Sequence, residues 1–427
     1  MKYLFSKIII AILFAFYLFL TKQNLQLNRN IFILIILYEI KNCMTSKEEQ
    51  KIIKNFIREI LLKVFKRLPL NQKKVIFTAD NEKELNDGNF LIIKERLLAD
   101  GYNLIVDITK SRQKKDKRHP LKFIKYLYNL STSKVILLTD FANILVHYER
   151  RENQKIVQLW HGLGAYKTFG RVRMDLQGSK GKNVHQNAYT HAITSSEFCR
   201  NVYAESFEIP YSSTYALGSP RVDILFDKNK IKEISGKIKK EYIGNNKKNI
   251  LFAPTWRGKN LRHSFYDLEN LNFELLSKKL GEQYNFIIKL HPILLMNNKL
   301  LYKLENIKEK YSNFIIDLTA ESVDVNHILT ATDILITDYS SIIFDYSILK
   351  RQVIYYIPDL EEYTRDRSFN CPFEDYVFGD IAKDTNEIIN SVINGSFDTE
   401  KHELFYEKFM SGCKGESEKK VYELIVN

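Results

Sequence analysis

The chain has 427 residues, with 64 Lys and Arg against 51 Asp and Glu and a formal net charge of +13. That length exceeds one ordinary core and calls for two or three domains, and a 45% apolar share excludes a chain disordered throughout. The basic excess suits a phosphorylated substrate, a polyanion or an anionic membrane surface. Zinc-finger spacing and RNP-type aromatics are missing, which disfavours nucleic acid, and Cys43, Cys199, Cys371 and Cys413 form neither a CxxC nor a disulfide framework.

Residues 8–20 (IIIAILFAFYLFL) are thirteen apolar residues, short of the roughly 20 that a membrane span needs. A second run, 31–38, is shorter still. Residues 1–43 therefore read either as a hydrophobic anchor or as sequence upstream of a start at Met44. Secretion is disfavoured, because no small-residue cleavage site follows. Residues 44–70 hold a basic amphipathic helix. Ile52, Ile53, Phe56, Ile57, Ile60, Leu61, Val64 and Phe65 recur every three or four residues, and Lys51, Lys54, Arg58, Lys63, Lys66 and Arg67 cover the other faces. Such a helix either lies on an anionic bilayer or packs on its own domain.

From residue 74 the pattern alternates. Residues 74–78, 103–107, 134–139, 155–160 and 192–194 read as strands, with helices at 90–99 and 117–129. It restarts with strands at 214–217, 249–252, 285–290, 314–317, 333–337 and 352–356 and helices at 271–280 and 297–310. Alternation of this kind predicts parallel sheets covered by helices on both faces. The reading is α/β: two doubly wound Rossmann-like domains, 71–217 and 218–397, facing a central cleft as in the GT-B architecture. A C-terminal helix, 398–427, would cross back over the first half. Ligands are expected at the carboxyl ends of the strands.

Four motifs sit at such ends. In residues 158–164 (QLWHGLG), His161 follows a strand taken to end at Trp160, and Gly162 and Gly164 allow tight turns. Its imidazole is a candidate general base, or a structural histidine. In residues 251–257 (LFAPTWR), Arg257 can fork onto a phosphate, or form an ordinary ion pair. In residues 287–292 (IIKLHP), Pro292 stiffens the turn and His291 can donate to a leaving phosphate oxygen. In residues 333–345 (DILITDYSSIIFD), a strand ending at Thr337 and Asp338 leads to a helix starting near Ser340. Ser340 and Ser341 would cap that helix and its N-terminus would suit a pyrophosphate. Asp338 and Asp345 would orient a ribose, a catalytic group or the chain itself. Walker and GxGxxG motifs are missing, and no acidic pair reads as a metal site.

These motifs, in order, resemble the CDP-glycerol:poly(glycerophosphate) glycerophosphotransferases, the primases and polymerases of teichoic-acid-type polymers. The resemblance runs from about Ser131 to Glu387. It includes Trp160-His161-Gly162 with Lys167, then residues 218–223 (GSPRVD), APTWR, KLHP, ITDYSS with Phe344-Asp345, and residues 359–363 (DLEEY). It implies a GT-B enzyme without a tightly bound metal or other cofactor, acting at the cytoplasmic face of the membrane. The donor would be a CDP-alditol, glycerol by family default and ribitol as the alternative. The acceptor would be an anionic lipid-linked or polymeric chain, and CMP would be released. A GT-B enzyme using a nucleotide sugar is the further alternative. By the same resemblance His161 is the base. His291, Arg257, Pro292, Thr337, Asp338, Ser340, Ser341 and Asp345 belong to the donor side, and Gly162 and Lys167 to the acceptor side. The stretch after His161 reads Gly-Leu-Gly-Ala where much of the family has Gly-Thr-Pro, which points to a different acceptor.

Overall fold

The computed structural model describes residues 47–108, 120–142, 144–145, 148–172, 188–258 and 263–427. The hydrophobic runs before Met44 lie outside them, as do the side chains of residues 47–54, 56, 120 and 366.

The first half begins with helix α1 (Lys47–Phe65). It continues through β1 (Asn71–Ala79), α2 (Gly88–Ala99), β2 (Asn103–Ile108), α3 (Pro120–Thr132), β3 (Ser133–Leu138), β4 (Lys155–Gln158), β5 (His191–Thr194), α4 (Glu197–Phe207) and β6 (Thr214–Ala216). All six strands are parallel, in the order β2-β1-β3-β4-β5-β6. The strand at 214–216, where the sequence pattern was read as restarting, is the edge of this first sheet. The apolar residues of β1 feed two layers. Val75 and Phe77 pack beneath α2 with Phe90, Ile93 and Leu97, while Ile76 faces Leu127 and Leu130 of α3. Ile57, Ile60, Leu61, Leu62 and Phe65 of α1 join the α3 layer, so this face of the basic helix packs on its own domain.

The second half comprises α5 (Lys228–Ile238), β7 (Lys248–Phe252), α6 (Phe273–Leu280), β8 (Tyr284–Ile288), α7 (Asn298–Lys310), β9 (Ile315–Asp317), α8 (Val325–Thr330), β10 (Ile334–Thr337), α9 (Ile342–Ser347), β11 (Gln352–Tyr356), α10 (Leu360–Asp366), β12 (Asp380–Ala382) and α11 (Thr385–Asn394). Its order, β12-β11-β10-β7-β8-β9, is the doubly wound one, and it reverses between β7 and β10. That switch point opens the crevice where ligands of such sheets bind. Strand β12 went unread in the sequence because Asp-Ile-Ala is too short to show a period, and its isoleucine is exposed.

Residues 398–427, expected as one helix, form two: α12 (Thr399–Met410) and α13 (Ser417–Val426). The chain breaks at Gly412, whose N–H donates to the Ser195 carbonyl at 2.8 Å. A Cβ there would meet the Ala216 carbonyl oxygen at 2.7 Å. Gly415 then takes a positive φ of 75°. Both helices return to the first half. The hydroxyls of Ser195 and Ser196 donate to the carbonyls of Phe409 and Lys408, each at 2.7 Å. Val421 and Ile425 pack with Val75 and Phe77. The two halves are thus tied by core contacts, and their strand ends face one cleft. No helix among the described residues is long and apolar enough to cross a membrane.

Candidate active site in the cleft between the sheets

On the first-half side, β4 ends at Gln158, two residues earlier than the sequence suggested. Trp160 has left the strand and takes φ +55°, a left-handed backbone that costs a non-glycine residue about 1–2 kcal/mol. Its N–H donates to Gln158 Oε1 at 2.9 Å. The turn lifts His161 to an exposed position over the end of β3, where Nδ1 meets the Thr139 carbonyl oxygen at 3.0 Å. A carbonyl only accepts, so Nδ1 carries the proton, and in the neutral ring Nε2 is a bare lone pair. The Trp160 ring lies against the imidazole, centroids 4.4 Å apart.

Of the two glycines that follow, Gly164 has the strict requirement. Its φ is +70°, and a Cβ there would lie 2.0 Å from the Phe344 ring of the second half. Gly162 shows no such constraint; its carbonyl accepts from the Tyr203 hydroxyl at 2.9 Å. Lys167 bridges in antiparallel fashion to Phe369, with its ammonium 5.5 Å from the Tyr363 ring centre. It therefore reaches into the second half rather than staying on the acceptor side alone.

On the second-half side, Arg257 was expected to grip a phosphate. Instead its guanidinium forks onto Asp359 at 2.6 and 3.0 Å and pairs with Asp338 at 2.9 Å. Burial opposes the charge, and the two carboxylates outweigh it, so the group is held firmly protonated. Asp338 is fully buried and accepts from the N–H groups of Thr255 (2.7 Å) and Tyr339 (2.6 Å). Thr337 is also fully buried, its hydroxyl donating to the Ala253 carbonyl at 2.7 Å. These three residues fix the loops at the β7/β10 switch point instead of presenting groups to the cleft. Asp345 is likewise committed: Arg221 clasps it at 2.5 and 3.1 Å.

The remaining expected groups of this side, Ser340, Ser341 and His291, are uncharged. Helix α9 starts at Ile342, later than expected. Ser341 makes no capping bond through its side chain, and Ser340 accepts from the Ile342 N–H only at 3.4 Å. His291 stands before the turn of Pro292–Met296, with Pro292 at its first position, and Nδ1 accepts from the Ile293 N–H at 3.1 Å. Although its edge is open to solvent, the cleft walls push its pKa down to about 4, first by desolvation, then through Lys167 and Lys83. The ring is therefore neutral at pH 7 with its proton on Nε2. The two histidines are held in opposite tautomers by main-chain partners, one as a proton acceptor and the other as a donor.

Sequence reasoning missed what Arg221 and Asp359 do, although both lie in recognised motifs, and it missed Asn89 and Glu84 altogether. Glu84 follows β1, and its Oε1 accepts from the N–H groups of Asp80 and Asn81, each at 3.1 Å. Burial first, and then Asp140, push its pKa up to about 7. Its capping-box spacing from Asn81 was the available signal. Among the described residues no group of three or more His, Cys, Asp or Glu is placed to hold a metal ion.

The family profile described as CDP-glycerol:poly(glycerophosphate) glycerophosphotransferase matches residues 60–427. The chain is 33% identical over 366 residues to a teichoic acid poly(ribitol-phosphate) polymerase of Bacillus spizizenii, covering 85% of this chain and 58% of that one. It is 31% identical over 373 residues to a teichoic acid ribitol-phosphate primase of the same organism, covering 84% and 92%. Identity to a teichoic acid glycerol-phosphate primase of Bacillus subtilis is 28% over 319 residues, covering 73% and 78%. The solved wall teichoic acid polymerase TagF superposes with a TM-score of 0.68 at 20% identity, covering 87% of this chain and 95% of that one, and shares the fold. The chain thus spans little more than half the length of the first of these relatives.

Proposed function

The chain belongs to the CDP-glycerol:poly(glycerophosphate) glycerophosphotransferase family, and from that premise we propose that it transfers an alditol phosphate from a CDP-alditol to a hydroxyl of a lipid-linked or polymeric acceptor. The observation that carries this reading is the pair of oppositely set histidines. His161 Nε2 takes the proton of the acceptor hydroxyl. The acceptor oxygen bonds to the β-phosphorus, the bond from that phosphorus to the bridging oxygen breaks, and CMP leaves with the electron pair. The Nε2–H of His291 and the hydroxyls of Ser340 and Ser341 donate to the phosphate oxygens, and Lys167 supplies positive charge from the facing side. Arg257, Asp338 and Thr337 hold the loops that carry these groups. No step requires a metal.

The family description favours glycerol. Ribitol is a second reading, because four relatives at 31–33% identity are ribitol-phosphate polymerases or primases by name. The reaction would occur at the cytoplasmic face of the membrane with the protein peripherally attached. Support comes from the exposed Leu121, Lys122 and Lys125 on α3, beside the basic α1. Flotation with anionic liposomes that salt reverses checks the attachment. The deciding experiment is CMP release from CDP-glycerol and from CDP-ribitol with an oligomeric acceptor, beside His161→Ala. Release from one donor, reduced roughly 10²–10⁴-fold in the variant, is the expected result and names the alditol. Turnover of neither donor, with a nucleotide sugar consumed instead, overturns the reading.

A further inference from the structure

The acceptor-side histidine and the donor-side loop belong to different halves, so something must set the distance between them. A continuous set of buried polar contacts joins the two. Asn89, 2% exposed in the first turn of α2, donates from Nδ2 to the Trp160 carbonyl oxygen at 2.9 Å, next to His161. Its Oδ1 accepts from the Ser219 hydroxyl at 2.7 Å and from the Arg221 N–H at 3.0 Å, in the segment linking the sheets. The Arg221 side chain then clasps Asp345, 4% exposed, in α9 immediately beyond Ser340 and Ser341. Asn326, 3% exposed, closes the clasp. With its amide turned to suit both, it donates to Asp345 Oδ1 and accepts from Arg221 Nη1, each at 3.2 Å.

There is no slack along this path. A Cβ at Gly88 would lie 2.9 Å from the Arg221 Cβ. The loop after His161 is pressed onto the same helix, with Gly164 against Phe344. Asn89 uses both ends of its amide, which no other side chain of its length supplies. Trp160, which it holds, is the residue in the left-handed conformation that aims His161.

We propose that Asn89 and Arg221 are positioning residues for the transfer, forming with Asp345 a polar strut that sets His161 against the donor-binding loop across the link between the halves. The proposal rests on the transferase reading above for its catalytic consequence, and on the contacts alone for its mechanical one. Neither residue touches substrate; both act through His161 and α9. Loosening the strut should misplace the base without weakening the donor site, so kcat falls while the donor KM holds.

Asn89→Asp is nearly isosteric. It keeps the acceptor for Ser219 and Arg221 but cannot donate to the Trp160 carbonyl, whereas Ser219→Ala leaves that bond in place. In the full chain, Asn89→Asp is expected to lower kcat about 10- to 100-fold, with donor KM within about twofold, and Ser219→Ala to change kcat by less than about threefold. In a Trp256→Phe background, Trp160 is the only tryptophan. There, acrylamide quenching should increase in Asn89→Asp and also in Arg221→Lys, since the Arg221 guanidinium is bonded to Asp345 of α9. Wild-type kcat and unchanged quenching in Asn89→Asp overturn the proposal. So does an activity loss that merely follows the unfolded fraction in thermal denaturation. Should the wild-type chain turn over neither CDP-alditol, the transferase reading fails and the quenching arm alone decides the strut.

Discussion

At the carboxyl end of the second sheet, Arg257 lies between Asp338 and Asp359, and all three charges are answered inside the protein. At the carboxyl end of the first, His161 is an exposed residue held by one main-chain bond through Nδ1. Both clusters look alike in sequence: a chemically capable side chain just beyond a buried strand. The difference is burial. Arg257 and Asp338 keep only 14% and 1% of their side-chain surface, so each charge needs a partner close by. An exposed imidazole carries no such penalty and stays available. In this cleft the buried charges of Arg257 and Asp338 fix shape, and in the proposed reaction the imidazoles, the serine hydroxyls and the Lys167 ammonium meet the substrate.

That contrast can be broken most forcefully at Arg257. Replacing it with Ala leaves Asp338 buried beside backbone donors with no cation, and breaking a buried pair from one side costs about 3–5 kcal/mol. Urea unfolding of Arg257→Ala should show a loss of that order. Loss of CMP release at unchanged stability would instead make Arg257 a direct phosphate ligand and erase the difference between the two strand ends.

A smaller effect is expected at His291, where the neutral Nε2–H is the useful group. His291→Ala should lower kcat about 10²-fold, the cost of one preorganised donor, at little cost in stability. Gln reaches the same point with an N–H and should recover part of the rate. Equal loss in Ala and Gln would mean that ring shape or a cationic form matters, contrary to the depressed pKa.

Which of these roles the sequence disclosed follows from the range of the contacts. The strands were legible because a buried parallel strand is a short apolar run between turn residues, and β11 lies where the pattern put it, at 352–356. The places of the histidines were legible because they follow strand ends, which line the crevice. Arg257 was assigned correctly to the loop and differently to its task, because Asp359 stands 102 residues away and no local periodicity connects them. Asp345, read as orienting a ribose, a catalytic group or the chain itself, could not be decided for the same reason: its partner Arg221 is 124 residues back. Asn89 carried no signal at all, since an asparagine in the first turn of a helix reads as ordinary capping chemistry. Its distinction lies in three partners beyond its own helix.

The smallest effect is a pH dependence in which a histidine from each half opposes a single buried glutamate. His191, in β5, and His291 are both pushed down to about 4 from 6.5, first by desolvation, then by Lys155 and Arg150 for the former and by Lys167 and Lys83 for the latter. Between those values the unfolded chain binds two protons that the folded chain does not. Their stabilisation is complete above pH 6.5 and is lost on acidification towards 4. Glu84 works the other way. Raised from 4.5 to about 7, it keeps a proton in the folded state that the unfolded chain has released, so its contribution is full below 4.5 and lost as pH rises through 7. From pH 6.5 to 4.5 these three groups leave a net loss equivalent to about one proton. Urea midpoints across that window should therefore fall with acid in the wild type. They should fall less in His191→Gln, where the two remaining groups cancel, and more steeply in Glu84→Gln, where both histidines act unopposed. The same slope in all three would show that these groups titrate in the folded chain as they do in the unfolded one.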